Sequence, residues 1–125
     1  MAQRLPPELE NKLVRYQNIQ AQYNRLVQER VVAETELSEV RKVIELLEEV
    51  GESSQVYRLE ANILIASDKN KILQELKDRQ EVLELRVQKL KKQEEELRKQ
   101  IDKLANEIRE YQARMGLGRQ ERGAG

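Results

Sequence analysis

The stretch that decides the fold is VYRLEANILIAS, residues 56–67. It is rich in β-branched and aliphatic residues that favour strands, and it carries no heptad repeat. Long charged segments flank it on both sides, each with an apolar residue at every third or fourth position. The pattern predicts a mainly α fold, in which two long helices of the coiled-coil type are joined by a short strand-forming segment.

The composition excludes several classes of function. Of the 125 residues, 37% are charged and 3% are aromatic, which suits long helices better than a globule with its own core. Lys and Arg total 23, as do Asp and Glu, so net charge does not draw the chain toward nucleic acid or an anionic membrane. Histidine and cysteine are absent, which removes the usual general base, thiol nucleophiles and the commonest zinc ligands.

The sequence also lacks other motifs that would indicate chemistry or targeting. No apolar run approaches the roughly 20 residues of a membrane span, and no signal-peptide core follows Met1. No glycine-rich phosphate loop is present, and the run Glu94-Glu95-Glu96 lies among basic residues, as on a solvated helix face. We therefore expect a soluble, cytoplasmic protein that is not an enzyme and holds no metal or cofactor.

The first helix is predicted over residues 7–50. Pro7 suits the first turn of a helix, and Gly51 is expected to end the helix with a positive φ. Apolar residues recur at steps of four and three, the spacing of a coiled-coil seam, and Arg30 occupies one seam position. The apolar seam residues are Leu9, Leu13, Tyr16, Ile19, Tyr23, Leu26, Ala33, Leu37, Val40, Ile44 and Leu47.

The second helix is predicted over residues 68–115, with Ser67 or Asp68 as its N-cap. Three polar residues fall in its seam, where long side chains can lay their stems on apolar surface and send their heads to water. A phase shift is expected where Leu97 and Ile101 prolong the four-residue steps. Residues 116–125, rich in glycine and charge, are predicted to be a disordered tail. The seam residues are Ile72, Leu76, Arg79, Leu83, Arg86, Leu90, Gln93, Leu97, Ile101, Leu104, Ile108, Tyr111 and Met115.

The two seams predict that the helices pair with each other in an antiparallel coiled coil. In such a pair the numbers of facing residues add up to a constant, and these seams keep nearly the same total throughout, as in Leu37 with Leu83. Further apolar residues collect beside the central stretch, so we expect this end of the coiled coil to assemble with other subunits. They are Val43, Leu46, Val50, Leu73, Val82, Leu85 and Val87.

Residues 56–66 are predicted to form a β-hairpin. A three-residue turn at residues 60–62 is preferred, because a two-residue turn at Ala61-Asn62 would mix isoleucines with charged side chains. A lone two-stranded hairpin is marginally stable in water, so strands of other subunits should complete it. The alternative is a loop that packs back on its own helices. The preferred turn places Tyr57, Leu59, Ile63 and Ile65 on one face, with Arg58 and Leu64 on the other.

Three stretches resemble the prefoldin family, and within it the β subunits of the archaeal type. The resemblance covers nearly the whole chain, and the order of helix, strand pair and helix is its most distinctive part. Family members usually have a glycine near the hairpin turn, where this sequence has Ala61-Asn62. The stretches are LPPELENKLVRYQNIQAQY (residues 5–23), VYRLEANILIASD (residues 56–68) and ELKDRQEVLELRVQKLKKQEEELRKQI (residues 75–101).

The resemblance implies one prefoldin-like domain over residues 1–125 that works as an ATP-independent molecular chaperone, or holdase. Prefoldin is a hexamer of two α and four β subunits, whose hairpins join into β-barrel platforms from which the coiled coils hang. Unfolded polypeptides are held at the tips of the coiled coils and passed to a group II chaperonin. Nucleic acid, membrane and cofactor are not among the implied partners. The implied platform residues are Val56, Tyr57, Leu59, Ile63, Leu64 and Ile65.

The client-binding tip would be built from both chain ends, where apolar side chains can open outward. The simpler interpretation is that these side chains only close the coiled coil. A different class of function, a tethering coiled-coil scaffold or the helical arm of an RNA-binding enzyme, stays open, although the balanced charge disfavours RNA. The tip residues are Leu5, Leu9, Leu13, Ile108, Tyr111, Met115 and Leu117.

Overall fold

The computed structural model describes residues 5–116 and consists of two long helices with one β-hairpin between them. The elements are α1 (Pro7–Glu49), β1 (Val56–Glu60), β2 (Ile63–Ser67) and α2 (Lys69–Arg114). The predicted fold class is confirmed. Apart from Gly116, the predicted disordered tail lies outside the described residues.

The described residues group into two compact units. We call residues 29–90 the hairpin unit, and residues 5–28 with residues 91–116 the terminal unit. Segments of α1 and α2 contribute to both units. That residues 1–125 act as one prefoldin-like domain stays a prediction.

Charged side chains close the helix ends that flank the hairpin. Asp68 caps α2, since its Oδ2 accepts a hydrogen bond from the backbone N–H of Lys71 at 3.2 Å. Gly51 does not adopt the predicted positive φ, which among the described glycines only Gly116 does. Instead, the Nζ of Lys69 donates to the carbonyl oxygen of Val50 at 2.6 Å, where a cation complements the negative end of the α1 dipole.

The seam predicted for α1 is confirmed by burial. Six of its eleven apolar seam residues are buried, and the remaining five are half-buried. Ala33, Leu37, Val40 and Ile44 form the core of the hairpin unit together with side chains of α2. The buried α1 residues are Leu9, Ile19, Ala33, Leu37, Val40 and Ile44.

The seam predicted for α2 is wrong at Arg79 and Arg86, which are both exposed. Val87, which was expected to lie outside the seam, is buried in the core with Leu83. Glu94 is buried, so the phase shift predicted for this part of the helix is absent. The seam positions alternate steps of three and four without interruption: Leu73, Leu76, Gln80, Leu83, Val87, Leu90, Glu94, Leu97, Ile101, Leu104, Ile108 and Tyr111.

The two arginines lie beside the seam, where each forms an ion pair with a glutamate of α1. The Nε and Nη2 of Arg79 donate to the two carboxylate oxygens of Glu36 at 2.7 and 2.9 Å. These hydrogen bonds lower the pKa of Glu36 and raise that of Arg79. The Nη2 of Arg86 lies 3.9 Å from an oxygen of Glu29. Such exposed pairs favour one alignment of the helices while adding little stability each.

The hairpin closes with a two-residue turn, so the predicted three-residue turn is wrong. Leu59 pairs with Leu64, and Glu60 pairs with Ile63. Ala61 and Asn62 have φ values of 45° and 69°, and the tight type I′ hairpin turn requires positive φ at both central residues. This turn matches the right-handed twist of the strands, and that match outweighs the steric cost at Ala61.

Ala61→Gly is expected to stabilise the hairpin by about 1 kcal/mol, because glycine removes the contact between Cβ and the carbonyl oxygen that disfavours positive φ. Hydrogen exchange of the strand amides, compared with that of wild type, measures the change. Ala66→Gly is the matched control: Ala66 lies within β2, where glycine should instead weaken the strand. Equal protection factors in wild type and Ala61→Gly would contradict the steric cost of positive φ at Ala61.

Candidate interaction surfaces

One face of the hairpin is entirely apolar and open to solvent. Directly paired residues of antiparallel strands project to the same side, so the pairs Tyr57 with Ala66 and Leu59 with Leu64 share one face. Tyr57 is 56% exposed, and Leu59 and Leu64 are each 66% exposed. We call these four residues the apolar hairpin face. Exposed apolar side chains at this density indicate a surface that binds another protein.

The opposite face of the hairpin is mixed. Ile63 pairs with Glu60, and Ile65 pairs with Arg58, so both isoleucines share a face with charged residues. We call these four residues the mixed hairpin face. Both isoleucines are also exposed, and the hairpin therefore presents apolar surface on both sides.

The predicted platform residues all lie on the hairpin, but three of them lie on the face opposite to the one predicted. Ile63 and Ile65 were expected beside Tyr57 and Leu59, and the two-residue turn moves them to the mixed face. Leu64 was expected opposite those residues, and it joins the apolar face instead. Ala66 completes that face and was not predicted. The signal that could have found it is the turn itself, since Asn is enriched at positions of positive φ.

The apolar surplus beside the hairpin is smaller than predicted. Leu73 and Val87, which were expected to lie outside the seam, take part in the core of the hairpin unit. The residues of this predicted surplus that remain exposed are Val43, Leu46, Val82 and Leu85.

The terminal unit has a small core made from both ends of the described chain. Leu9 is fully buried, and it clusters with Ile108 and Tyr111, while Leu13 packs against them. The guanidinium of Arg114 lies 5.6 Å from the ring centroid of Tyr111, within range of a cation–π contact. These predicted tip residues therefore close the coil in this structure.

Exposed apolar side chains surround this core. Leu5 and Met115, both predicted tip residues, are exposed, whereas Leu117 lies outside the described residues. Val14 is 54% exposed and was not predicted, because it falls outside the α1 seam. Leu5, Val14 and Met115 form what we call the terminal apolar set.

Residues 5–116 contain neither a cluster of metal ligands nor a membrane-spanning helix. No three potential metal-ligating side chains come together in this part of the chain. Neither of its long helices has a segment apolar enough to cross a membrane.

Comparison with known proteins gives one consistent result. A profile of the family described as "Prefoldin subunit" matches residues 10–114. The chain is 43% identical over 86 residues to prefoldin subunit beta of Sulfurisphaera tokodaii, and 40% identical over 86 residues to that of Sulfolobus acidocaldarius. Each alignment covers 69% of this chain and 69% of the relative.

Solved structures give the same likeness. The prefoldin beta subunit of Thermococcus strain KS-1 superposes with a TM-score of 0.79 at 27% identity, covering 88% of this chain and 96% of that one. The beta2 subunit of the same strain gives a TM-score of 0.64 at 20% identity, covering 73% and 97%, and it supports the fold alone.

Proposed function

This chain belongs to the prefoldin family, a family of chaperones, and from that premise we propose that it serves as a β subunit that holds unfolded proteins without ATP. Its partners would be a prefoldin α subunit and further β copies, in a hexamer of two α and four β subunits. It would work in the cytoplasm, pass its clients to a group II chaperonin, and catalyse no reaction.

The observation that carries the assembly part of this proposal is the apolar hairpin face. A two-stranded sheet with exposed apolar residues and two open edges has unpaired backbone groups and unburied surface. Strands from neighbouring subunits would pair with these backbone groups and bury this apolar surface. The hairpins of several subunits would together form a platform. Val56, at the start of β1, would belong to it, as would Ile63 and Ile65 of the mixed hairpin face.

Client binding is assigned to the terminal unit. Its core is small, and its exposed residues include a long aliphatic side chain and a methionine, which adapt to partners of varied shape. Leu9, Leu13, Ile108 and Tyr111 would contribute when the coil end opens, and Leu117 would extend the same surface. Holding an unfolded chain by such contacts requires no nucleotide and no catalytic group.

The combined variant Leu5→Ser, Val14→Ser and Met115→Ser is expected to lose most client binding, because each substitution removes apolar surface that a client would cover. Assembled with a prefoldin α subunit, it should need about tenfold more protein to suppress aggregation of a denatured client by half. Light scattering without nucleotide measures the effect. Assembly and helix content should stay as in wild type, since all three side chains are exposed.

The control is Val31→Ser with Val32→Ser, which changes two exposed apolar residues of the hairpin unit. It should suppress aggregation as well as wild type does. Equal activity of the triple variant and this control would refute the assignment to the terminal unit. If the wild-type assembly does not suppress aggregation but binds RNA in a salt-sensitive way at micromolar concentration, the RNA-binding alternative is correct.

A further inference from the structure

The hairpin and the start of α2 are separated by an open cleft of about 370 Å³. Arg58 and Ala66 line it on the strand side, and Ile72 and Glu75 line it on the helix side. An open cleft provides few of the close contacts that would hold a two-stranded sheet at one angle to a helix. The orientation of the hairpin therefore depends on its backbone connections and on any polar contact that crosses the cleft.

One ion pair crosses it. The Nη2 of Arg58 in β1 binds Oε2 of Glu75 in α2, and the Nη1 of Arg58 lies 4.0 Å from Glu60. Within residues 5–116, this is the only side-chain hydrogen bond shown between the strands and a helix. The backbone connection is short, since Asp68 alone separates β2 from α2.

The ion pair also shows which face of the hairpin lies toward α2. Arg58 belongs to the mixed face, so its contact with Glu75 turns that face toward α2. Leu59 and Leu64, on the other face, do not line the cleft, and their side chains project to the opposite side of the strands, because successive residues of a strand alternate between sides. The two leucines of the apolar hairpin face, each 66% exposed, are thereby left free for neighbouring subunits.

We propose that the Arg58–Glu75 ion pair is a positioning contact for assembly, which holds the hairpin at a fixed angle to α2 before other subunits bind. The inference rests on the proposed function and adds a residue pair to it. Fixing a segment in its bound orientation strengthens association, because less conformational entropy is lost on binding. A strand of a neighbouring subunit would then bind an apolar hairpin face that already has the orientation needed for assembly.

The first test measures the orientation itself. The chain has no cysteine, so Ile63→Cys with Lys77→Cys gives two unique positions for spin labels, one on β2 and one on α2. The distance distribution between the labels in the unassembled chain should broaden when Arg58→Met or Glu75→Gln is added. Arg79→Met, which removes an exposed ion pair between the helices, should leave the distribution unchanged.

The second test measures assembly. In dilution series with a prefoldin α subunit, Arg58→Met and Glu75→Gln should each raise the dissociation constant about two- to fivefold, as expected for an exposed ion pair. The swapped pair, Arg58→Glu with Glu75→Arg, combined with Glu60→Gln so that the new glutamate does not face a like charge, should restore both the dissociation constant and the narrow distance distribution. Arg79→Met is again the control, with an unchanged dissociation constant.

The outcomes separate this inference from the proposed function. A wild-type chain that does not assemble would overturn both. Wild-type values in Arg58→Met for the distance distribution and the dissociation constant would overturn the positioning role alone. A swapped pair that assembles as poorly as the single variants would also overturn it, since it would show that the residues act separately.

Discussion

Leu59→Lys combined with Leu64→Lys is expected to abolish assembly and leave the helices folded. The two leucines pair directly across the strands and make up half of the apolar hairpin face. Burying a charged group without a partner costs several kcal/mol, and two such groups exceed what the remaining contacts of one hairpin would return. Sedimentation of the variant with a prefoldin α subunit should show unassembled chains, while circular dichroism should show wild-type helix content.

A matched substitution on the other hairpin face sharpens this result. Ile63→Lys changes a residue of similar exposure, but on the mixed face, beside Glu60. It should weaken assembly much less, since the new ammonium stays in a polar setting. The proposed role of the apolar face would be untenable if Ile63→Lys abolished assembly while the double leucine variant still assembled.

Leu83→Ala is expected to destabilise the hairpin unit by about 2–5 kcal/mol, the range for leucine-to-alanine substitutions in packed cores. Leu83 is 2% exposed and lies in the cluster that joins α2 to Leu37 and Val40 of α1. The hairpin unit has no second core to compensate, because its other large apolar side chains are mostly exposed. Thermal and urea unfolding, followed by circular dichroism, measure the loss.

Leu85→Ala is the control for this substitution. Leu85 is two residues further along the same helix and is 60% exposed, so its truncation should change stability by less than about 0.5 kcal/mol. A similar loss of stability in both variants would mean that the helices do not pack through the seam described above.

The sequence predicted the elements well and the hairpin faces poorly, and the difference has a physical cause. A long helix repeats its apolar pattern many times, so isolated exceptions such as Arg30 do not hide the coiled-coil periodicity. A five-residue strand offers only two or three side chains per face, and one residue of error in the turn exchanges those faces. The three-residue turn was predicted because it collects apolar residues on one face of the hairpin. The chain instead forms the two-residue turn, whose backbone geometry fits the twist of the strands.

A similar limit explains the errors in the α2 seam. Gln80 and Glu94 occupy seam positions, and apolar periodicity alone passes over them to the neighbouring residues. Arg79, Arg86 and Gln93 were each placed one position early, because the prediction took three-residue steps where the helix takes four. The exposed part of the terminal unit was only partly predictable, because Val14 is apolar yet lies outside the seam, and exposure of such a residue depends on the packed structure.

Gln80 and Glu94 also affect whether α1 pairs with α2 of the same chain or with a helix of another copy. Copies of this chain in the proposed assembly would bring identical heptads close together, and a seam of leucines alone would let helices be exchanged between copies. A polar side chain within a seam favours one alignment at some cost in stability, because it must regain suitable neighbours in any other pairing. Gln80 and Glu94 would thus oppose domain swapping among closely spaced, identical coils.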